Sequence, residues 1–328
     1  MVTVMEIEMI KCHGSGNDFI IIDEMDDNYY LTDTSRIALT KVLADRKGPA
    51  GSDGLLFIQT SSQADARMRM FNSDGSEAEM CGNGLRCVAR YILERFGKKE
   101  AVIETMQANL AVAETEAIFP DVPTFEVAIE PVLLDPASLP LTTDYTPHIE
   151  KPIPELDIKR TYTALSVPNP HLVSITDALS PEEVEKVGQQ ANENKRLLPN
   201  GTNVSFLSPI ESQKIFVRTF ERGVGLTSAC GTAMSASALV SILAGHNNLN
   251  EVITVLNPGG MVQCVVRQTG DDGYTIRLRG NATYEFSAVV SIDPEDMTFA
   301  ELNEMSVYED EIAGYEKLAQ AAAELSAQ

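Results

Sequence analysis

Residues 76–93 read SEAEMCGNGLRCVARYIL: a carboxylate-bearing segment, a cysteine, Gly-Asn-Gly, and then apolar residues at helical spacing. The pattern predicts a helix over 83–96 that begins at Cys81. A second stretch, GLTSACGTAMSASALVSIL at 225–243, puts Cys230 in the same place ahead of a helix predicted over 231–244. The offset is 230 − 81 = 149, close to half of the 328 residues. With that offset Ala89 falls on Ala238 and Leu93 on Ile242, which matches the apolar side of each helix. Upstream, Arg69 and Phe71 precede Cys81 by 12 and 10 residues, and Arg218 and Phe220 precede Cys230 by the same distances. Strand, loop, Cys-Gly and helix therefore occur twice and in phase. Such a repeat predicts two similar halves with a site in the cleft between them.

Around these two stretches the chain is rich in alternating apolar segments, among them MEIEMIKCHG, NDFIIID, DGLLFIQ, ARMRMFN, FEVAIEP, NVSFLS, KIFVRTFE, MVQCVVRQ and YTIRLRG. These read as strands. Further helices are predicted at 33–45 and 180–192, with one or two in the tail from 297 to 325. Many strands with a few longer helices indicate an α+β fold whose sheets wrap around helices. The Pro-rich segment 135–160 reads as a linker and holds the expected boundary. The expected divisions are 1–140, which may also receive the C-terminal strand; 141–288; and an acidic helical extension over 289–328.

A net charge of −23 argues against nucleic acid and anionic membrane as partners, since both require a basic surface. From Ser291 to Gln328 there are ten acids against Lys317 alone, so part of the excess is a solvated acidic tail. No apolar run reaches the ~18 residues of a membrane span. The opening MVTVMEIEMIKCHG lacks the pattern of a signal peptide, and a cytoplasmic protein is expected. Five cysteines, an odd number, argue against a disulfide framework. No C-x2-C or H-x3-H spacing occurs, so no metal is expected. Cys12, Cys87 and Cys264 read as small buried hydrophobes.

Cys81 and Cys230 read differently. A helix start stabilises a thiolate and so lowers the thiol's pKa from ~8.5. Its unpaired N–H groups also hold a carboxylate, and Gly82, Gly84 and Gly231 clear the approach to that backbone. Two such starts facing one amino acid would put a sulfur on each side of its α-carbon. One thiolate would remove the α-proton and the opposite thiol would return a proton to the other face. That is stereoinversion without a cofactor, and no lysine stands in a recognisable cofactor motif.

The motifs together resemble the diaminopimelate epimerase family over about 7–288. They are KCHGSGNDFIIID, DRKGPAGSDGLLFI, FNSDGSEAEMCGNGLRC, SVPNPHLV, LPNGTNVSF and ERGVGLTSACGTA, in the family's order. The resemblance implies two pseudo-symmetric α/β halves, each a barrel-like, mostly antiparallel sheet around a central helix, with the active site in the cleft between them. It implies a homodimer and interconversion of LL- and meso-diaminopimelate, in lysine and peptidoglycan precursor synthesis. Cys81 and Cys230 take the place of the acid/base pair. Asn17, Asn72, Asn169, Asn203, Glu221 and Arg222 take the place of residues around the substrate, with His171 as a further candidate. Gly82, Asn83, Gly231 and Thr232 take the place of backbone donors to the reacting carboxylate. Their chemistry agrees: Arg222 offers a fork for a distal carboxylate, the asparagines donate and accept, and Glu221 neutralises an ammonium.

The chain departs from the family pattern at several positions, the Gly14-Ser15-Gly16 turn differing modestly from the commoner one. Leu226 stands where glutamate is usual, Ala233 where glycine is usual, and Pro168 where glycine is common. Leu226 keeps open a related racemase with another substrate such as histidine. A non-catalytic binding protein on the same fold is the reading from a different class.

Overall fold

A computed structural model describes residues 4–26, 29–270, 273–293 and 300–326. They divide into two compact units, one within Met1–Val127 and Gly280–Lys317, the other within Ala128–Arg279 and Leu318–Gln328. The chain runs through β1 (Met5–Gly14), β2 (Asn17–Asp23), α1 (Asp33–Ala44), β3 (Gly54–Gln59), β4 (Ala66–Asn72), β5 (Glu77–Ala78), α2 (Gly82–Phe96), β6 (Glu100–Glu104), β7 (Asn109–Glu114) and β8 (Thr124–Ile129). Next come β9 (Lys151–Ile153), β10 (Asp157–Ser166), β11 (Pro170–Ile175), α3 (Pro181–Glu193), β12 (Asn203–Glu211), β13 (Lys214–Glu221), β14 (Gly225–Thr227), α4 (Gly231–Leu243), β15 (Val252–Asn257), β16 (Gly260–Thr269) and β17 (Gly273–Asn281). β18 (Thr283–Ile292), β19 (Ala300–Val307) and α5 (Glu309–Ser326) end the chain.

In the first unit the ladder runs β19-β18-β1-β2-β3-β4-β6-β7-β8. Among the described residues β2/β3 and β4/β6 are parallel pairs there, and α1 and α2 supply their crossovers. The apolar runs Phe19–Ile22 and Leu55–Ile58 are buried on both faces, which is why they are continuous rather than alternating. Ile20, Ile22, Leu55 and Phe57 pack with Leu39 and Leu43 of α1. On the other face α2 lies against β1, β2, β3, β4, β6 and β7, so the sheet curls around it. The sheet curls around α2 without closing: β19 and β8 form no pair among the described residues.

The second unit repeats this plan. β11/β12 and β13/β15 are its parallel pairs, crossed by α3 and α4, and α4 lies against β10, β11, β12, β13, β15 and β16. The offset of 149 survives in the ladders. Leu55 pairs with Phe71 and Val204 with Phe220; Phe71 pairs with Glu77 and Phe220 with Leu226. Register is fixed by which face is buried, so a shared register means that the two units bury the same positions.

Two expectations need correction. The segment 135–160 is no linker: Leu139, Leu141, Ile153 and Leu156 pack with Val184 and Phe206 in the core of the second unit. Between the compact units the chain changes over near residues 127 and 279. The tail is not wholly helical either. Residues 300–307 form a strand on β18, with Val307 opposite Phe286, before α5 begins. The part of the expected tail helix at 297–299 lies outside the described residues. No helix among the described residues is long and apolar enough to cross a membrane.

β3 and β4 approach so closely that a Cβ on Gly54 would lie 2.3 Å from the Phe71 carbonyl oxygen. Relief would require moving backbone rather than a side chain. Gly54→Ala is therefore expected to cost roughly 2–3 kcal/mol, read as a lower denaturation midpoint. An unchanged midpoint would show that this strand pair yields without cost.

Candidate active site

Each unit carries its own group of candidate residues. In the first, β1 and β2 meet in a turn with Ser15 at φ 54° and Gly16 at φ 77°. Left-handed backbone at both central positions is the turn that matches strand twist. Asn17, which follows it, is fixed at both ends of its amide. Its Nδ2 donates to Asp53 Oδ2 (2.6 Å) and its Oδ1 accepts from Asn83 Nδ2 (3.1 Å). Cys81 Sγ lies 3.8 Å from the same Oδ1.

Cys81 is the N-cap of α2, with extended backbone (φ −146°), and its sulfur accepts from Gly84 N at 3.4 Å. The first helical bond is Leu85 N to Cys81 O, so the Gly82 and Asn83 N–H groups lie ahead of any helical acceptor. A Cβ on Gly84 would lie 2.9 Å from Leu56 Cδ2; glycine there lets the helix start sit close on β3. Asn72 ends β4 and bonds Ser76 Oγ (3.0 Å), joining neither Asn17 nor Asn83 among the described residues.

The support beneath Asn17 had no role assigned from sequence. Asp53 accepts from Arg46 Nη2 (2.7 Å), and Arg46 also grips both carboxylate oxygens of Asp18 (2.7 Å each). Lys11, buried, pairs with Asp18 and donates to Gly51 O. Burial alone would raise the Asp18 pKa, but the bonds from Arg46 and Lys11 outweigh it and hold the carboxyl well below its usual range. Arg46 and Asp53 both lie in DRKGPAGSDGLLFI, so the signal was present as a motif without a partner to explain it.

In the second unit the parallel β11/β12 pair sets His171 beside Asn203. Asn203 Oδ1 accepts from Arg222 N (2.9 Å), and Arg222 Nη1 donates to Asn200 O (2.9 Å). The Arg222 guanidinium thus bonds a backbone carbonyl. His171 is fully buried, and burial, with Arg222 nearby, pushes its pKa down to about 3. It is a neutral imidazole whose Nε2 lies 2.9 Å from Asn169 Oδ1. One candidate role is thus to hold Asn169.

Cys230 is the N-cap of α4 (φ −136°), with its sulfur 3.5 Å from Thr232 Oγ1. Gly231 and Thr232 precede the first helical bond, Met234 N to Cys230 O. Here the expectation of a lowered pKa fails. Burial pushes the Cys230 thiol well up, and the Glu221 carboxylate adds to this, outweighing Thr232 and the Ala233 N–H. Desolvation disfavours the thiolate more than the helix start favours it. Leu226, in β14, is partly exposed.

All five cysteines are free, and Cys12, Cys87 and Cys264 are buried. No cluster of three or more His, Cys, Asp or Glu among the described residues could hold a metal ion.

A family model described as diaminopimelate epimerase matches residues 9–118 and 163–285. The diaminopimelate epimerase of Clostridium acetobutylicum is 41% identical over 312 residues, covering 95% of this chain and 93% of its own. That of Ligilactobacillus salivarius is 42% identical over 323 residues, covering 94% and 99%. Among solved structures, a Bacillus anthracis phenazine biosynthesis protein of the PhzF family matches with a TM-score of 0.63 at 17% identity, over 88% of this chain and 99% of that one. A hydroxyproline epimerase from Agrobacterium vitis matches with 0.61 at 12%, over 89% and 92%. Both share the fold.

Proposed function

We propose, from the premise that this chain belongs to the diaminopimelate epimerase family, that its two N-cap cysteines invert one α-carbon of diaminopimelate. The chain is an isomerase of amino acids that interconverts the LL and meso forms, a step of lysine biosynthesis.

One observation carries the reaction course: a cysteine caps the same helix in each of two units built to one register. Cys230, held as a thiol by burial and Glu221, is the proton donor for one isomer. For that isomer Cys81 first removes the α-proton from the opposite face and Cys230 then protonates the carbon, and for the other isomer the roles exchange. The N–H groups of Gly82, Asn83, Gly231 and Thr232 receive the carboxylate, where charge builds as the proton leaves. Asn17, fixed by Asp53 and Asn83, borders the Cys81 sulfur. Arg222 takes the distal carboxylate, and Asn72, Asn169 and Asn203 take the remaining polar groups of the substrate. His171 keeps Asn169 in place. The same reading includes a homodimer in the cytoplasm, its assembly checked by the mass in solution.

The test is a panel of enantiopure amino acids in deuterated water. Diaminopimelate is expected to lose its α-hydrogen signal and to invert. Exchange of histidine with diaminopimelate untouched would replace the substrate, and no exchange at all would favour a binding protein.

A further inference from the structure

We propose that Tyr315, on the C-terminal helix, is a positioning residue for the turn that carries Asn17, and through it for the Cys81 thiol. This rests on the reading above that Asn17 and Cys81 serve the reaction. It gives the acidic extension a task.

The extension is anchored one helical turn before Tyr315. The Glu311 carboxylate accepts from both terminal nitrogens of Arg90 (2.5 and 2.7 Å) and from Tyr284 N (3.0 Å). Arg90 lies on α2, nine residues after Cys81, and its guanidinium sits 3.6 Å over the Tyr284 ring. It also donates to Ala282 O (2.8 Å). The start of α5 is thereby joined to the helix that Cys81 caps. Residues four apart share a helix face, so Tyr315 follows Glu311 onto the same surface.

There its ring meets the ring of His13 edge-on, with centroids 4.2 Å apart at 66°. Its hydroxyl lies 3.5 Å from the place of a Cβ on Gly16. His13 and Gly16 close the turn itself, since Gly16 N donates to His13 Nδ1 (3.2 Å). The turn's other tethers come from elsewhere. Ser15 N donates to Asn281 Oδ1 (2.8 Å), and the fully buried Arg86 donates to Ser15 Oγ (3.0 Å) and Asn281 O (3.1 Å). A Cβ on Gly14 would lie 2.8 Å from Arg86 Nη2 and 2.9 Å from Asn83 O. The turn is thus packed on the first turn of α2, with the Tyr315 ring against His13 and its hydroxyl near Gly16. Asn17 is the next residue, and the amide that borders the Cys81 sulfur moves with it.

The contact with His13 is made by the ring, and the substitutions divide accordingly. In the full chain, Tyr315→Ala is expected to lower kcat/KM about tenfold, the scale of a group displaced from its working position. Tyr315→Phe is expected to stay within about twofold, because it keeps the aromatic edge. A second readout needs no substrate: the rate at which iodoacetamide alkylates each cysteine, resolved by peptide mass. Tyr315→Ala should change the Cys81 rate and leave Cys230 as in the parent, and Tyr315→Phe should change neither. Unchanged kinetics and an unchanged Cys81 rate in Tyr315→Ala overturn the proposal. Equal changes at Cys81 and Cys230 also overturn it, since they denote general loosening. Should Tyr315→Ala not fold, Tyr315→Leu takes its place under the same criteria. A parent protein without epimerase activity would count against the function proposed above, and the alkylation comparison would still decide on Tyr315.

Discussion

Cys81→Ala and Cys230→Ala are each expected to lose inversion in both directions by about a thousandfold or more. A positioned acid or base contributes roughly 10²–10⁴-fold, and in a two-thiol reaction neither face has a substitute. What remains should differ between the variants. With Cys230 gone, Cys81 still removes the α-proton from the isomer that presents it, and the proton returns to the same face. That isomer exchanges with solvent deuterium but does not invert. Cys81→Ala should show the mirror behaviour with the other isomer. The measurement combines α-hydrogen loss in deuterated water with chiral separation of the products. Inversion at the parent rate in either variant would sink the two-thiol course, and symmetrical loss of exchange would mean the two sulfurs do not serve separate faces. The pH dependence of alkylation adds a sign. The Cys230 thiol is pushed up by burial and by Glu221, so its modification should require higher pH than an ordinary thiol. Glu221→Gln removes the like charge and should bring that requirement down.

Arg222→Met is expected to lower kcat/KM for diaminopimelate about a hundredfold, mostly through KM. Hydrogen bonds to charged groups contribute about 1.5–3 kcal/mol each, and a fork on the distal carboxylate would make two, discounted here because Arg222 is exposed. The fold should be little affected. The bond to Asn203 Oδ1 comes from the backbone N–H of residue 222 and survives any non-proline substitution. Only the donation to Asn200 O is lost. Arg222→Lys should rescue poorly, since an ammonium cannot present two parallel donors. An unchanged KM in Arg222→Met would remove Arg222 from the distal carboxylate.

Much of this was legible without coordinates. The two helices after Cys81 and Cys230, the strands between them and their common phase follow from spacing along the chain. The strand at 300–307 was not legible: AELNEMSV is rich in helix formers, and it becomes a strand because β18 offers an edge to pair with. The segment 135–160 hid its packing in the same way, since prolines mark turns but do not say whether Leu139 or Leu156 has a core to enter. Arg46 and Asp53 stood in a quoted motif, yet their task appeared only when Asn17, 36 residues before Asp53, came within 2.6 Å of it.

By itself the sequence determined that this protein is two copies of one strand-and-helix plan, each with a cysteine at its helix start. Periodicity and capping are local properties, written in residues a few positions apart. Only the tertiary structure decided how each sulfur behaves, because a thiol's proton affinity depends on burial and on charges brought from other strands. The Cys230 thiol is raised where the helix start alone would lower it, and Asn17 is held at the Cys81 sulfur by groups scattered from Lys11 to Asp53.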